Sequence, residues 1–249
     1  MRWRYRIMGD DTTAARSDLA PSGKLRVGIN FANNLLTARD PVTRAPSGIA
    51  LDLAHELGRR LGVPVQIVSC ESAGELADSA VKGAWEVGFL GAEPQRANQI
   101  DFTAAYLEIE ASYLVPAESP IRAIADVDRK GVRVVTTAKA AYDLWLQRNL
   151  KNATLLHASS ADDVFKMFVA EKLEALAGLK PRLVIDRDNL PGSRILDGRF
   201  TAVQQAVGTP KGHDAGAAYL RQFVADIKKS GLVARTIEKN GIRGVTAAA

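Results

Sequence analysis

The alternation of short apolar runs with amphipathic helical segments is the feature that most constrains the fold. The run LRVGIN (25–30) has the length of a strand, and GIALDLAHELGRRLG (48–62) repeats its apolar residues at helical spacing. Two more strand-like runs, VPVQIVSC (63–70) and WEVGFLG (85–91), flank a short helical segment at 72–84. This β-α-β-α-β order predicts an α/β fold, with a parallel sheet covered by helices.

The alternation restarts after an extended stretch, LEIEASYLVP (107–116). The predicted elements of this second unit are strands at 131–137, 153–158, 173–179 and 193–197 and helices at 140–150, 159–172 and 181–189. A second extended stretch (200–212) then leads to a helix at 214–231. Two α/β units joined by two extended stretches predict a bilobed protein.

The lobe boundaries are placed where the extended stretches pass between the units. Lobe one covers residues 23–112 plus 207–249, and lobe two, inserted within it, covers residues 113–206. Residues 1–22 include three arginines near the start but no apolar segment of the kind a secretory signal has. Their polarity predicts a flexible leader.

Composition excludes several classes of protein. A hydrophobic content of 47% and a charged content of 24% are those of a soluble globular protein, and no apolar run reaches the roughly 18–20 residues of a membrane span. The net charge of +5 is spread among acidic residues, which argues against nucleic-acid binding. With one cysteine and three scattered histidines, neither an intrachain disulfide nor a metal site is expected, and no cofactor is predicted.

Polar residues follow the first strand of each unit, where a parallel sheet gathers its ligand-binding loops. These residues are Asn30, Phe31, Asn33 and Asn34 in unit one and Thr136, Thr137 and Lys139 in unit two. Lys139 directly precedes a predicted helix, whose free N–H groups would suit an anion. A solvated lysine in a loop is the alternative.

Arg96 follows the third strand and therefore lies at the same edge of the sheet as Asn30. A guanidinium at that edge can bind a carboxylate through two parallel hydrogen bonds, which a lysine cannot match. The alternative is an ordinary solvated charge on a short surface helix.

The stretch WEVGFLGAEPQRANQIDFTAAY (85–106) resembles the signature of the bacterial extracellular solute-binding proteins, family 3. The matching positions are Trp85, Glu86, Val87, Pro94, Arg96, Ala97, Ile100, Asp101, Phe102, Thr103 and Tyr106. SGIALDLAHELGRRLGVPV (47–65) is similar to the helix and strand of that family, and GKLRVGIN (23–30) to its opening strand. The resemblance covers roughly residues 22–240, with the segments in the family's order.

The resemblance implies a two-lobed fold of the type II periplasmic binding proteins, with a mostly parallel sheet flanked by helices in each lobe. Residues 107–115 and 203–207 would be the two hinge strands, with Glu110 and Tyr113 near the floor of the cleft. Arg96 would hold the carboxylate of the ligand. The other expected ligand-binding residues are Asn30, Phe31, Asn33, Gly91, Glu93, Glu110, Thr137, Lys139, Ala140 and Leu179.

Three departures from the family pattern affect the expected ligand. The loop before the arginine is Gly91-Ala92-Glu93 instead of one with hydroxyl donors, and the lobe-two helix starts at Lys139-Ala140-Ala141 instead of Gly-Ser/Thr-Thr. Gly178 or Leu179 stands where members that bind α-amino acids have an aspartate. An ammonium buried without a counter-charge costs several kcal/mol. Unless Glu93 or Glu110 substitutes, we expect a mono- or dicarboxylate or another small anion.

The function implied is that of the solute-binding component of an ABC transporter. It would bind a small carboxylate-containing solute, an amino acid or a related organic acid, by closing its hinge, and would act as a monomer with a membrane permease as partner. The alternative is a cyclohexadienyl (prephenate or arogenate) dehydratase-like enzyme, with Glu93, Glu110 or Lys139 as general acid. A sensory module is a third possibility.

The family also implies a periplasmic location, or one tethered outside the cell. Because residues 1–22 do not resemble a signal, a cytoplasmic location stays open.

Overall fold

A computed structural model describes residues 8–248, with side chains described from residue 12 onward. Its helices are α1 (Met8–Leu19), α2 (Ile49–Leu61), α3 (Ala73–Asp78), α4 (Ala141–Asn149), α5 (Ala161–Ala170), α6 (Lys180–Asp188), α7 (Asp214–Lys229) and α8 (Leu232–Lys239). Its strands are β1 (Leu25–Asn30), β2 (Ala38–Arg39), β3 (Pro46–Ser47), β4 (Val65–Cys70), β5 (Val87–Gly91), β6 (Ile100–Val115), β7 (Arg133–Thr137), β8 (Thr154–Ala158), β9 (Ala175–Leu179), β10 (Arg194–Ile195), β11 (Thr201–Pro210) and β12 (Thr246–Ala247).

One mixed sheet runs through the molecule in the order β4-β1-β5-β11-β6-β9-β7-β8. β1 pairs in parallel with β4 and β5, and β7 pairs in parallel with β8 and β9. Two long strands join these parallel groups: β6 is antiparallel to β11 along most of its length and to β9 at its end. The α/β fold predicted from the alternation of apolar runs is confirmed.

The buried side chains form one large core and smaller ones. The large core lies between the β1–β4–β5 part of the sheet and helices α2, α7 and α8, with Leu57, Phe89 and Phe223 among its members. Two smaller cores lie around β7, β8 and β9, and include Val134 and Phe168. We keep the names lobe one for residues 23–112 with 207–248, and lobe two for residues 113–206.

Helix α1 corrects the expectation of a flexible leader. Ala15 and Leu19 are fully buried, and α1 packs against α7 so closely that a Cβ at Gly216 would lie 2.6 Å from Leu19 Cδ2. Asp18 Oδ2 accepts a hydrogen bond from the Gly216 amide (2.9 Å), and Arg16 Nε donates to the Leu61 carbonyl (2.8 Å). The sequence of this segment is mostly polar, so its short apolar face does not stand out. Helix α7, which covers that face, lies about 200 residues further along the chain. The part of the expectation that concerns residues 1–7 lies outside the described residues.

None of the helices between residues 8 and 248 is both long enough and apolar enough to cross a membrane.

Candidate functional site

A cavity of about 200 Å³ lies between the two lobes, and both contribute to its wall. Lobe one supplies polar groups after β1 and before α3, namely those of Asn30, Asn33, Asn34 and Ser72. Lobe two supplies the starts of helices α4 and α5 and one side of α6, and Gln205 of strand β11 lies where the lobes meet. Because strand ends and helix starts converge there, the arrangement matches that of a ligand site in an open α/β sheet.

Five of the residues predicted from the sequence line this cavity: Asn30, Asn33, Thr137, Ala140 and Leu179. The other six, Phe31, Gly91, Glu93, Arg96, Glu110 and Lys139, do not. Phe31 is buried under the Arg39 guanidinium, which lies 3.9 Å from the centre of its ring. Glu110 accepts from Lys180 Nζ (2.5 Å) and from Arg199 Nη1 (3.3 Å).

Arg96 lies in a short 3₁₀ turn after β5 and is 7% exposed. Its Nη1 donates to the Gly91 carbonyl (2.8 Å), and its Nη2 donates to the Lys139 carbonyl (2.9 Å) in lobe two. Burial lowers the pKa of Arg96 to about 10, which leaves it charged at neutral pH, and Glu93 offsets part of that effect. Within the described residues no carboxylate forms an ion pair with it, so neutral carbonyls alone hold this buried cation.

The Lys139 carbonyl is aimed at Arg96 by the local backbone of lobe two. Lys139 has a φ of 58°, in the left-handed region that is unusual for a non-glycine residue. Its amide donates to Asp143 Oδ2 (2.7 Å), and Asp143 is fully buried and also bonds His157 Nε2 through Oδ1 (2.9 Å). The Lys139 ammonium lies outside the cavity, 2.6 Å from Asp78 Oδ2 in lobe one.

Direct packing between the lobes separates Arg96 from the cavity. A Cβ at Gly91 would lie 2.9 Å from both Ala141 Cβ and Val203 Cγ1, so only glycine allows this approach. A further ion pair joins Glu93 Oε2 of lobe one to Arg148 Nη2 of lobe two (2.6 Å). Burial raises the pKa of Glu93, and Arg148 counteracts part of that rise.

The sequence predictions missed an ionic group at the lobe-two end of the cavity. Arg182 and Asp186 both lie on α6 and line the wall, joined by a hydrogen bond from Arg182 Nε to Asp186 Oδ1 (2.8 Å). Asp186 is 1% exposed, and this burial raises its pKa, while Arg182 counteracts part of the rise. The only sequence signal was the i,i+4 spacing of opposite charges, which is more typical of a solvated helix pair.

Hydroxyl groups in the wall were also missed as site residues. Ser72 and Ser160 cap α3 and α5 by accepting hydrogen bonds from Glu75 N (3.0 Å) and Asp163 N (3.1 Å). The capping pattern was visible in the sequence for Ser160, but it indicates a helix start and not a wall position. No grouping of His, Cys, Asp and Glu suited to a metal ion occurs in the part of the chain that the structure describes.

Comparison with known proteins identifies the family. The model of the bacterial extracellular solute-binding proteins, family 3, matches residues 25–241, which is most of the chain. The chain belongs to this family. The resemblance carried by residues 85–106 is thereby confirmed, and with it membership among the solute-binding proteins of ABC transporters.

Individual relatives are distant. The glutamine-binding protein of Geobacillus stearothermophilus is 22% identical over 194 residues, which are 76% of this chain and 73% of that protein. The solute receptor for L-cysteine of Neisseria gonorrhoeae superposes with a TM-score of 0.76 at 20% identity, covering 93% of this chain and 95% of that one.

An ancestral amino acid-binding protein, AncCDT-1, described as a precursor of cyclohexadienyl dehydratase, gives a TM-score of 0.73 at 20% identity over 92% of this chain and 99% of that one. At such identities the structural matches establish the two-lobed fold and leave the ligand open.

Proposed function

We propose that this protein is the solute-binding component of an ABC transporter and that it holds a small carboxylate-bearing solute between its lobes. The cavity supports this because both lobes and strand β11 form its wall. A solute that touches both lobes has a higher affinity for the closed form than for the open one, and so drives hinge closure.

The observation that carries the proposal is the pair of hydrogen bonds made by Arg96. One nitrogen is held by lobe one through Gly91, and the other donates to a lobe-two oxygen, that of Lys139. When the lobes separate, the second donor loses its partner, and a buried charged donor left without one is costly. A carboxylate oxygen is a stronger acceptor than a carbonyl. The Lys139 carbonyl therefore occupies the position that we assign to a solute oxygen.

A dehydratase-like activity has less support from the site. The three candidate general acids already have ion-pair partners: Glu93 with Arg148, Glu110 with Lys180, and Lys139 with Asp78. None of these three side chains lines the interlobe cavity. We therefore propose binding without chemistry, by a monomer outside the cytoplasmic membrane, whose closed form is recognised by a membrane permease.

Calorimetric titration tests the proposal directly. Wild-type protein is titrated with the common amino acids and with their deaminated carboxylic acids. The titration is repeated with Arg96→Ala and with Arg129→Ala, an exposed arginine that forms an ion pair with Asp126. We expect Arg96→Ala to weaken binding at least a hundredfold and Arg129→Ala to leave it unchanged. Unaltered binding by Arg96→Ala, or equal binding of the corresponding amides that lack a carboxylate, would contradict the role of Arg96.

A further inference from the structure

The side-chain amide of Gln205 lies in the wall of the interlobe cavity and is open to a ligand. Gln205 belongs to strand β11, lies where the lobes meet and is 5% exposed. Neither its nitrogen nor its oxygen forms a side-chain hydrogen bond with any residue that the structure describes. Leaving a buried amide unpaired is costly, and water or a polar solute group in the cavity removes that cost. A solute that displaces water from this position must therefore replace its hydrogen bonds.

Strand geometry directs Gln205 and its neighbour Gln204 to opposite sides. Successive side chains of a strand alternate between its faces, so Val203 and Gln205 share one face and Gln204 has the other. Val203 and Gln205 both line the cavity, whereas Gln204 does not, and its Nε2 donates to the Ala202 carbonyl (3.4 Å). Of these two adjacent glutamines, Gln205 is the one placed to contact a solute.

Two asparagines that follow strand β1 complete a group of three carboxamides. Asn30, Asn33 and Gln205 all line the interlobe cavity and also a smaller cavity of about 30 Å³ beside it. Asn30 Oδ1 accepts from the Ala32 amide (3.0 Å) and Asn33 Oδ1 from the Leu35 amide (3.2 Å), and neither Nδ2 group has an acceptor within the described residues. The smaller cavity has room for about one water-sized group. The three side chains thus offer a solute several donors and one acceptor, all uncharged.

The charged residues of the wall provide no free counter-charge. Among the described residues that line the cavity, only Arg182 and Asp186 are charged, and they bond each other (2.8 Å). The two remaining nitrogens of Arg182 also have acceptors, Asp162 Oδ1 for Nη1 (2.7 Å) and the Ala161 carbonyl for Nη2 (3.3 Å). A charged solute group in this cavity would lose hydration without gaining an unpaired opposite charge. The cavity therefore favours an uncharged group.

We propose that Gln205, with Asn30 and Asn33, forms a specificity subsite for an uncharged hydrogen-bonding group of the solute, and that a primary carboxamide fits it best. A carboxamide has both a donor and an acceptor, so it can exchange two hydrogen bonds with the Gln205 amide. The assignment rests on the proposed function, because it takes the interlobe cavity as the place where the solute lies. It concerns the part of the solute that enters the cavity and requires no contact with Arg96.

Three amino acids with the same number of heavy atoms test the assignment by calorimetry. Asparagine, aspartate and leucine end in a carboxamide, a carboxylate and an isopropyl group, and their deaminated forms are succinamate, succinate and 4-methylpentanoate. We expect wild-type protein to bind the carboxamide compound of a series at least tenfold more tightly than the other two. The carboxylate adds an uncompensated charge, and the isopropyl group leaves the Gln205 amide without a partner.

The variant Gln205→Met tests the residue itself. Methionine has a similar length but no amide, so the affinity for the carboxamide compound should fall at least tenfold, while the isopropyl compound binds no more weakly than to wild type. A general packing defect would instead weaken the binding of both compounds equally. Gln204→Met, on the opposite face of the same strand, is the matched control and should keep the wild-type preference.

Two results would overturn the assignment and leave the proposed function intact. One is binding of the carboxylate or isopropyl compound as tight as that of the carboxamide, and the other is an equal loss of the carboxamide and isopropyl compounds in Gln205→Met. The wild-type comparison needs no variant, so it decides the class of solute even if Gln205→Met fails to fold. No binding of any of the six compounds would also overturn the assignment, and the wider titration with Arg96→Ala then decides the proposed function separately.

Discussion

Two arginines, the buried Arg96 and the half-buried Arg182, have contrasting hydrogen-bond partners. Arg96 is held by two neutral carbonyls, and burial lowers its pKa to about 10. Arg182 is shared by two carboxylates, which raise its pKa despite the opposing effect of burial. The environment of Arg96 has one positive charge in excess, and that of Arg182 has one negative charge in excess.

The contrast shows what each arginine contributes. An arginine fully neutralised by carboxylates stabilises the fold, because removing it leaves a buried anion. An arginine held only by carbonyls gives little to stability, and under the proposed function its charge is available to a ligand. Stability and binding measurements should therefore separate the two residues.

The largest effect on stability is expected for Arg182→Met, which leaves Asp186 buried without a counter-charge. We expect a loss of about 3 kcal/mol in the free energy of unfolding at pH 7.5, measured by urea denaturation. Burial already raises the pKa of Asp186, and without Arg182 that pKa rises further. The folded variant then binds a proton more readily than the unfolded chain, so the deficit should shrink as the pH is lowered to 5. A deficit that does not depend on pH would show that Asp186 is not its source.

A smaller effect is expected for Arg96→Met. Two hydrogen bonds to carbonyls are lost, but the cost of burying an unpaired cation is removed with them, so we expect a net loss of about 1 kcal/mol. Solute binding should disappear in the same variant. A loss of unfolding free energy as large as that of Arg182→Met would contradict the conclusion that the two arginines contribute differently to stability.

The smallest effect is expected for Asp78→Asn, which removes the ion pair that crosses between the lobes to Lys139. Both side chains are more than half exposed, so the pair contributes less than about 0.5 kcal/mol to stability at 0.15 M salt. Urea denaturation of the variant beside wild type measures this difference. A larger loss would mean that the interlobe contacts, and not the Arg182 pair, dominate the electrostatic stability.

The sequence predicted most of the sheet because the signals involved are local. Apolar runs identified β1, β4, β5, β7, β8 and β9, and polar residues after β1 and β7 identified the edge where Asn30, Asn33 and Thr137 line the cavity. Helix α1 was not predicted to pack, because the burial of Ala15 and Leu19 depends on α7. Such long-range packing leaves no pattern within a twelve-residue segment.

The site was predicted less completely, since the direction of a side chain is set by tertiary packing. Glu110 was placed near the cleft floor, but it pairs with Lys180 and Arg199, while its neighbour Ala111 contributes to the apolar cluster beside the cavity. Successive strand residues point to opposite faces, and the sequence does not indicate which face meets the cleft. Whether Arg96 and Lys139 contact a ligand stays a prediction.

If Arg96 binds the solute as proposed, the carbonyl of Lys139 competes with that solute for the same hydrogen-bond donor. Under the proposed function, every molecule in which that oxygen occupies the Arg96 donor is unable to accept a solute. The apparent dissociation constant then equals the intrinsic one divided by the fraction of molecules in the receptive form, so a receptive fraction of one tenth weakens binding about tenfold. The backbone geometry at Lys139 would thus set the solute concentration to which the protein responds, although Lys139 itself would make no contact with the solute.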